Sequence, residues 1–235
     1  MKHNLIIVPG WGGTELLWKH QSEHLSDIAD ITVTYFPDAE TIEEMTEQLI
    51  KDAPEKFIIC GHSLGGWVAQ LAAIKAPHRV SHLIIMGSWT GDLDHEKRQY
   101  FEQWQHEIEN DRLEKLLIEI NATSVFPSRS NDRTLMSTLI EGQSKFPRQG
   151  FLNQTKAMLN SQPTTLQLHK IVCPTLIIYG RQDSAFTLET QQSMKSGIPS
   201  AKLAIIEDCG HMPHVEQPQA VTALLRFWLE NQVKQ

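Results

Sequence analysis

The chain alternates short apolar runs with longer stretches in which apolar residues return every three to four positions. The runs at 5–8, 31–36, 57–60, 80–86, 175–179 and 203–206 are rich in β-branched residues and too short for stable helices. The most apolar of them show no polar alternation, which predicts strands buried on both faces, as in a parallel sheet. Helical periodicity fills the intervals at 15–25, 64–75, 187–196 and 217–231. A further helix begins at Thr41, where Glu44 completes a capping box, and ends near Pro54. Strand following helix in this order predicts a doubly wound α/β fold with six strands.

One interval breaks the rhythm. Between residues 91 and 168 no strand pattern occurs, while helical periodicity recurs at 100–108, 112–120, 133–143 and 151–159. A structureless loop of that length is rare, so the segment reads as a helical insertion. The expected organisation is a core of residues 1–90 and 169–235 with a helical cap, 91–168, inserted after the fourth strand.

Composition narrows the function. At 235 residues and 40% hydrophobic content the chain can bury one substantial core. Its 21 Lys and Arg residues are scattered among 28 acids for a net charge of −7, which argues against nucleic acid or an anionic membrane surface as partner. No apolar stretch approaches the ~20 residues of a membrane-spanning helix. Residues 1–10 carry one Lys and lack a signal-peptide core, so a cytoplasmic location is expected. Cys60, Cys173 and Cys209 are widely spaced beside strand-like runs and read as reduced core thiols. His20 and His24 have metal-ligand spacing on a helix but no evident third ligand, so a solvated face is the expected reading.

The chemistry concentrates at Gly61-His62-Ser63-Leu64-Gly65, a G-x-S-x-G sequence between a buried strand and a helix. A turn this tight forces the serine into strained backbone angles and leaves room only for small residues two positions to either side. The hydroxyl then stands clear of the sheet's carboxyl edge, beside the positive end of the next helix. A serine hydroxyl needs a base to become nucleophilic, and the base needs a group that holds its tautomer. His211 follows the last strand, and Asp183 follows the strand before it, so both fall on loops at the same sheet edge. Asp208 and Glu207 are alternatives for the orienting acid. His62 and His214 are alternatives for the base, and a helix N-cap is the plain reading of Ser63.

In these motifs the chain resembles the α/β-hydrolases, and is similar to the small bacterial carboxylesterases that include the pimeloyl-carrier-protein methyl ester esterases. The resemblance runs through Pro9 to Gly13, Gly61 to Gly66, Gly180 to Asp183 and Gly210 to Pro213. It implies a Ser63, Asp183, His211 triad, with the backbone N–H groups of Trp11 and Leu64 as oxyanion donors and no metal or cofactor. Two departures stand out. Pro9 replaces the usual His of the first loop, and the opening antiparallel hairpin is missing, which predicts a six-stranded, all-parallel sheet.

The implied activity is hydrolysis of an ester, thioester or lactone of a small or medium acyl group through an acyl-enzyme on Ser63. A lyase on the same fold and a ligand receptor with a vestigial triad are the alternatives. Trp11, Trp89, Phe186 and Met212 are expected to wall the substrate pocket. In the insertion, about half of Phe101, Trp104, Phe126, Phe146, Phe151 and Met158 should only hold helices together. The cluster Arg129, Arg133, Lys145, Arg148 and Lys156 could dock an acidic acyl-carrier protein, although such a cluster is ordinarily a solvated face.

Overall fold

A computed structural model describes residues 2–231. Six strands form one sheet in the order β2-β1-β3-β4-β5-β6: β1 (His3–Val8), β2 (Ala29–Val33), β3 (Phe57–His62), β4 (Val80–Met86), β5 (Thr175–Gly180) and β6 (Ala201–Ile206). Every neighbouring pair is parallel. The doubly wound, all-parallel sheet expected from the sequence is therefore the observed one. The chain order reverses between β1 and β3, so a crevice opens there at the carboxyl ends of the strands.

β1, β3, β4 and β5 are covered on both faces over nearly their whole length, while the edge strands β2 and β6 are partly exposed. The second strand lies earlier than the apolar run predicts, spanning Ala29–Val33 rather than 31–36. Its register with β1 pairs His3 with Ala29 and Ile7 with Val33, and the pairing closes with the Thr34 N–H donating to Ile7 O at 2.9 Å, one residue before β1 ends at Val8. Tyr35 and Phe36 leave the sheet, and Phe36 is buried in the core.

The helices are α1 (Lys19–His24), α2 (Ile42–Asp52), α3 (Leu64–Lys75), α4 (His95–Glu109), α5 (Leu113–Ser124), α6 (Arg133–Ser144), α7 (Arg148–Asn160), α8 (Leu188–Gly197), α9 (Pro213–Glu216) and α10 (Pro218–Asn231). Thr41 Oγ1 accepts the Glu44 N–H, while the Glu44 carboxylate reaches back to the N–H of Glu40 rather than that of Thr41. The last helix is split from α9 at Gln217, because Pro218 has no N–H to continue a helix but fits its first turn.

α4 to α7 lie between β4 and β5 and do not build a separate core. Phe101, Trp104, Leu116, Phe146 and Phe151 belong to one hydrophobic cluster with Ile6, Val8 and Ile59 of the sheet and Trp67 of α3. The opposite sheet face packs a second cluster around Trp18, Leu25, Leu225 and Trp228, to which α6 contributes Leu135 and Leu139. The four-helix segment thus reaches over the sheet edge into both layers.

Candidate active site

Ser63 sits at the turn between β3 and α3 with φ 51° and ψ −120°, a backbone conformation that L side chains rarely adopt. Its side chain makes no capping hydrogen bond to the helix. The glycines around it are required by contact. A Cβ on Gly61 would lie 2.1 Å from the Gly65 carbonyl oxygen, and one on Gly65 would lie 2.1 Å from the Val8 carbonyl oxygen. Backbone on both sides has no means of giving way. The turn is braced by the Ser63 N–H, which donates to Met86 O at 2.9 Å, and by the Ser88 hydroxyl, which donates to Ser63 O at 2.7 Å.

The Ser63 Oγ lies 3.0 Å from Nε2 of His211, and His211 Nδ1 lies 2.9 Å from Oδ2 of Asp183. The other carboxylate oxygen of Asp183 accepts the N–H groups of Ala185 at 2.8 Å and Phe186 at 3.1 Å. With both oxygens engaged, the carboxylate cannot rotate away from the imidazole. The alternatives for the acid lie elsewhere. Glu207 pairs with Arg181 at the surface, and Asp208 is exposed with φ 51°.

The His211 loop is fixed by its backbone. Its N–H donates to Ser124 O at the end of α5 (2.6 Å), and its carbonyl oxygen lies 2.8 Å from Nε2 of His62. This second bond requires His62 to carry its proton on Nε2. Burial, with His211 alongside, lowers the pKa of His62 to about 3, so the ring stays neutral. His214 is also buried, stacked on Trp18 with ring centroids 4.2 Å apart, and burial holds it well below the usual imidazole range. Neither alternative histidine touches Ser63 Oγ by hydrogen bond.

One participant carried no readable signal in the sequence. The Glu216 carboxylate, 4% exposed, accepts three backbone N–H groups: Gly210 at 3.0 Å and Met212 at 3.1 Å through Oε1, and Phe126 at 2.7 Å through Oε2. It grips the loop on both sides of His211 and ties it to the segment after α5. An acid five residues beyond a histidine in a polar stretch resembles any surface residue. Only the fold shows that it points inward.

The first loop, Pro9 to Gly13, is held from the opposite side by α7. Trp11 Nε1 donates to Phe151 O (3.1 Å) and Thr155 Oγ1 (3.0 Å), while the Gly12 N–H donates to Gln154 Oε1 at 2.8 Å. Leu64 is the first residue of α3, where a backbone N–H has no acceptor within the helix.

These groups open on a cavity of about 330 Å3 whose lining includes Ser63 and His211 together with Trp11, Trp89, Phe186 and Met212. Trp89 stacks on Phe186, centroids 4.7 Å apart, and Phe186 lies 5.5 Å from the His211 ring. From the helical segment, Phe101, Trp104 and Met158 reach the cavity, whereas Phe126, Phe146 and Phe151 are not part of its lining. His20 and His24 stack on each other away from it, with His20 Nδ1 3.0 Å from Thr222 Oγ1. The thiols of Cys60, Cys173 and Cys209 are free and buried, and burial raises Cys60 to about 12 and Cys173 to about 11. None of these thiols can serve as a nucleophile near neutral pH.

Comparison with known proteins agrees with this architecture. Residues 36–218 match the model of the alpha/beta hydrolase fold family. The pimeloyl-[acyl-carrier protein] methyl ester esterase of Nitrosomonas europaea is 24% identical over 92% of this chain and 91% of its own length. Among solved structures, a thermophilic esterase from Thermogutta terrifontis superimposes with a TM-score of 0.87 at 23% identity, covering 99% of this chain and 91% of that one. The enol-lactonase of Burkholderia xenovorans LB400 gives a TM-score of 0.85 at 15% identity, covering 98% and 93%. At such identities the structural likeness speaks for the fold. With the family model spanning most of the chain and the sheet order as described, the protein belongs to the alpha/beta hydrolase fold family.

Proposed function

We propose that the protein is a carboxylic ester hydrolase that acts through an acyl-enzyme on Ser63. The observation that carries this reading is the continuous hydrogen-bonded chain from Ser63 Oγ through His211 to Asp183, opening on a largely apolar cavity. Ser63 Oγ attacks the substrate carbonyl carbon while His211 Nε2 takes the hydroxyl proton, and Asp183 holds the imidazolium through Nδ1. The tetrahedral oxyanion is received by the backbone N–H groups of Trp11 and Leu64, donors whose loop and helix are already fixed. Such preorganised donors lower the barrier by about 3 kcal/mol each in comparable sites. Collapse breaks the bond to the alkoxy group, which leaves as alcohol with the proton from His211. Water, deprotonated by the same His211, then attacks the acyl-enzyme and releases the acid.

In this proposal residues 91–168 form a helical cap on the core of residues 1–90 and 169–235, and Trp11, Trp89, Phe186 and Met212 contact the substrate. The buried, unpaired thiols favour a reducing, cytoplasmic setting. Among the described residues, no helix is long and apolar enough to cross a membrane.

Docking of a carrier protein is a second reading, favoured by the named substrate of the Nitrosomonas relative. Three of the five clustered cations already have partners: Arg129 with Asp132, Arg148 with Asp111 and Lys156 with Glu40. Arg133 and Lys145 remain exposed and available. Charge reversal at both should slow turnover of a carrier-bound ester selectively, and unchanged turnover would remove this reading.

The hydrolase reading itself is tested by turnover of p-nitrophenyl esters from acetate to octanoate. Sustained turnover by the wild type and its loss in Ser63→Ala supports it. A folded wild-type protein without multiple turnover on any ester would sink it and favour a lyase or a receptor.

A further inference from the structure

The cavity wall supplied by the helical segment contains an anomaly. Asn121 in the last turn of α5 and Gln143 in the last turn of α6 both line the cavity, and they are only 2% and 4% exposed. Their apolar neighbours in the lining include Leu17, Ile120 and Met212. Asn121 Nδ2 donates to Gln143 Oε1 at 2.8 Å, and neither side chain makes another hydrogen bond among the described residues. Burying two amides costs more than one mutual hydrogen bond returns, because most of their hydrogen-bonding capacity has been taken from water without replacement.

Together the two amides bring two carbonyl oxygens, with two lone pairs each, and four N–H bonds. Their mutual bond consumes one lone pair and one N–H, which leaves three acceptor lone pairs, two of them on an oxygen with no partner, and three N–H donors. Turning both amides over reverses the direction of the bond but leaves the same inventory, so the conclusion does not depend on amide orientation. Both residues line the cavity, which places the unused Asn121 Oδ1 and Gln143 Nε2 beside it.

Their position relative to the triad follows from α5. Ser124, whose carbonyl oxygen accepts the His211 N–H, stands three residues after Asn121 on the same helix face. Three residues correspond to ~4.5 Å along a helix axis, so the Asn121 backbone lies about one helical turn from the carbonyl that holds the His211 loop, and both amides line the same cavity as Ser63 and His211.

The pair carries no charge. Among the described residues Lys97 is the only Lys or Arg in the cavity lining, and its ammonium is engaged over the Phe186 ring, 5.0 Å from the centroid. A substrate carboxylate would meet no cation at the amides. A neutral group that both donates and accepts would satisfy them.

We propose that Asn121 and Gln143 form a neutral hydrogen-bonding subsite that selects substrates bearing a hydroxyl or carboxamide group. The proposal deepens the hydrolase reading and rests on it for the location of the reacting bond. It places discrimination in the helical segment, away from Ser63, His211 and Asp183.

The test compares kcat/KM for esters matched in length and ending in methyl or hydroxyl, with the hydroxyl on the acyl chain in one series and on the alcohol in the other. Wild type, Asn121→Leu and Gln143→Met are assayed, with methyl acetate as a substrate too short on either side to reach the pair. The expected result is that in one series the hydroxyl-to-methyl ratio falls about tenfold in each variant, the value of one hydrogen bond, while methyl acetate turnover stays within about twofold. An unchanged ratio in both series overturns the proposal, and so does an equal loss on every substrate, which would make the pair a structural brace. Calorimetric binding of an α,ω-diol against the alkanol of equal length, with the same three proteins, reads the subsite without chemistry. The diol preference should fall about tenfold in both variants, and an unchanged preference overturns the subsite even if no ester is hydrolysed.

Discussion

The two walls of the cavity are built by different kinds of contact. At the sheet edge, backbone meets backbone: Gly61 against Gly65, Gly65 against Val8, and Gly180 against Gly210, where an added Cβ would stand 2.0 Å from a carbonyl oxygen. Across the cavity, α4, α6 and α7 meet the core through side chains, with Trp11 against Trp104 and Phe151, and Leu17 against Gly142, while the end of α5 meets the loop of Gly210 and His211 through backbone. Backbone contacts leave no alternative residue and no room to adjust. Side-chain contacts can repack. The wall that carries Ser63 is therefore rigid, and the helical wall is the one that can repack.

The sharpest way to break this comparison is to place the same overlap on each wall. Gly65→Ala puts a Cβ 2.1 Å from a backbone oxygen, whereas Gly142→Ala puts one 2.1 Å from Cδ2 of the Leu17 side chain. The first should cost about 4 kcal/mol or more in urea unfolding, or prevent folding. The second should cost no more than about 1–2 kcal/mol, because Leu17 can shift and alanine is the better helix former. Similar losses at the two sites would refute the distinction.

The next largest effect is expected at the joint between the walls. Glu216→Gln leaves one oxygen to replace two and turns an NH2 group toward a backbone N–H. Stability should fall by about 2–3 kcal/mol, and kcat should fall with it because the His211 loop loosens. A variant as stable and as active as the wild type would show that the carboxylate does not position the loop.

A smaller effect is confined to acid. The unfolded chain protonates His62 and His214 as pH drops through about 6.5, whereas the folded chain keeps them neutral, His62 down to about 3. Stability should therefore decline as pH falls from 6.5 toward 3 and be independent of these two groups above that window. His214→Phe should preserve the stacking on Trp18, remove two ring nitrogens that lack hydrogen-bond partners, and flatten the acid limb by one proton. Melting temperatures across this range provide the measurement, and an unchanged slope would contradict the assignment.

The smallest effect is expected on the helical wall. Lys97→Met removes the cation over Phe186 and should change stability by less than about 1 kcal/mol. Turnover of uncharged esters should stay within about twofold, and a larger fall would mean that this wall reads charge.

The same contrast explains what could be read from the sequence. Gly61, Ser63 and Gly65 were visible because a tight strand-to-helix turn tolerates few residues, and a parallel sheet followed from runs such as 57–60 that lack polar alternation, while its all-parallel form was implied by the family resemblance and the missing opening hairpin. The shift of β2 was not visible, since Tyr35 and Phe36 suit a strand or a core equally well. In α4 to α7 the helices left a periodic signal, but periodicity does not say which apolar face meets a cavity and which meets another helix. Phe101 and Phe146 look alike in sequence, yet the first lines the cavity and the second does not. Glu216, Asn121 and Gln143 are polar residues that a sequence assigns to solvent, and only the packing reveals their inward direction.

The central claim is that Ser63 carries the acyl group, and the most direct measurement is acid-quenched peptide mapping by mass spectrometry during steady turnover of a p-nitrophenyl ester. The account predicts an acyl adduct on the peptide containing Ser63 in the wild type, with neither adduct nor turnover in folded Ser63→Ala. An adduct on another residue, or turnover that persists in Ser63→Ala, would contradict it.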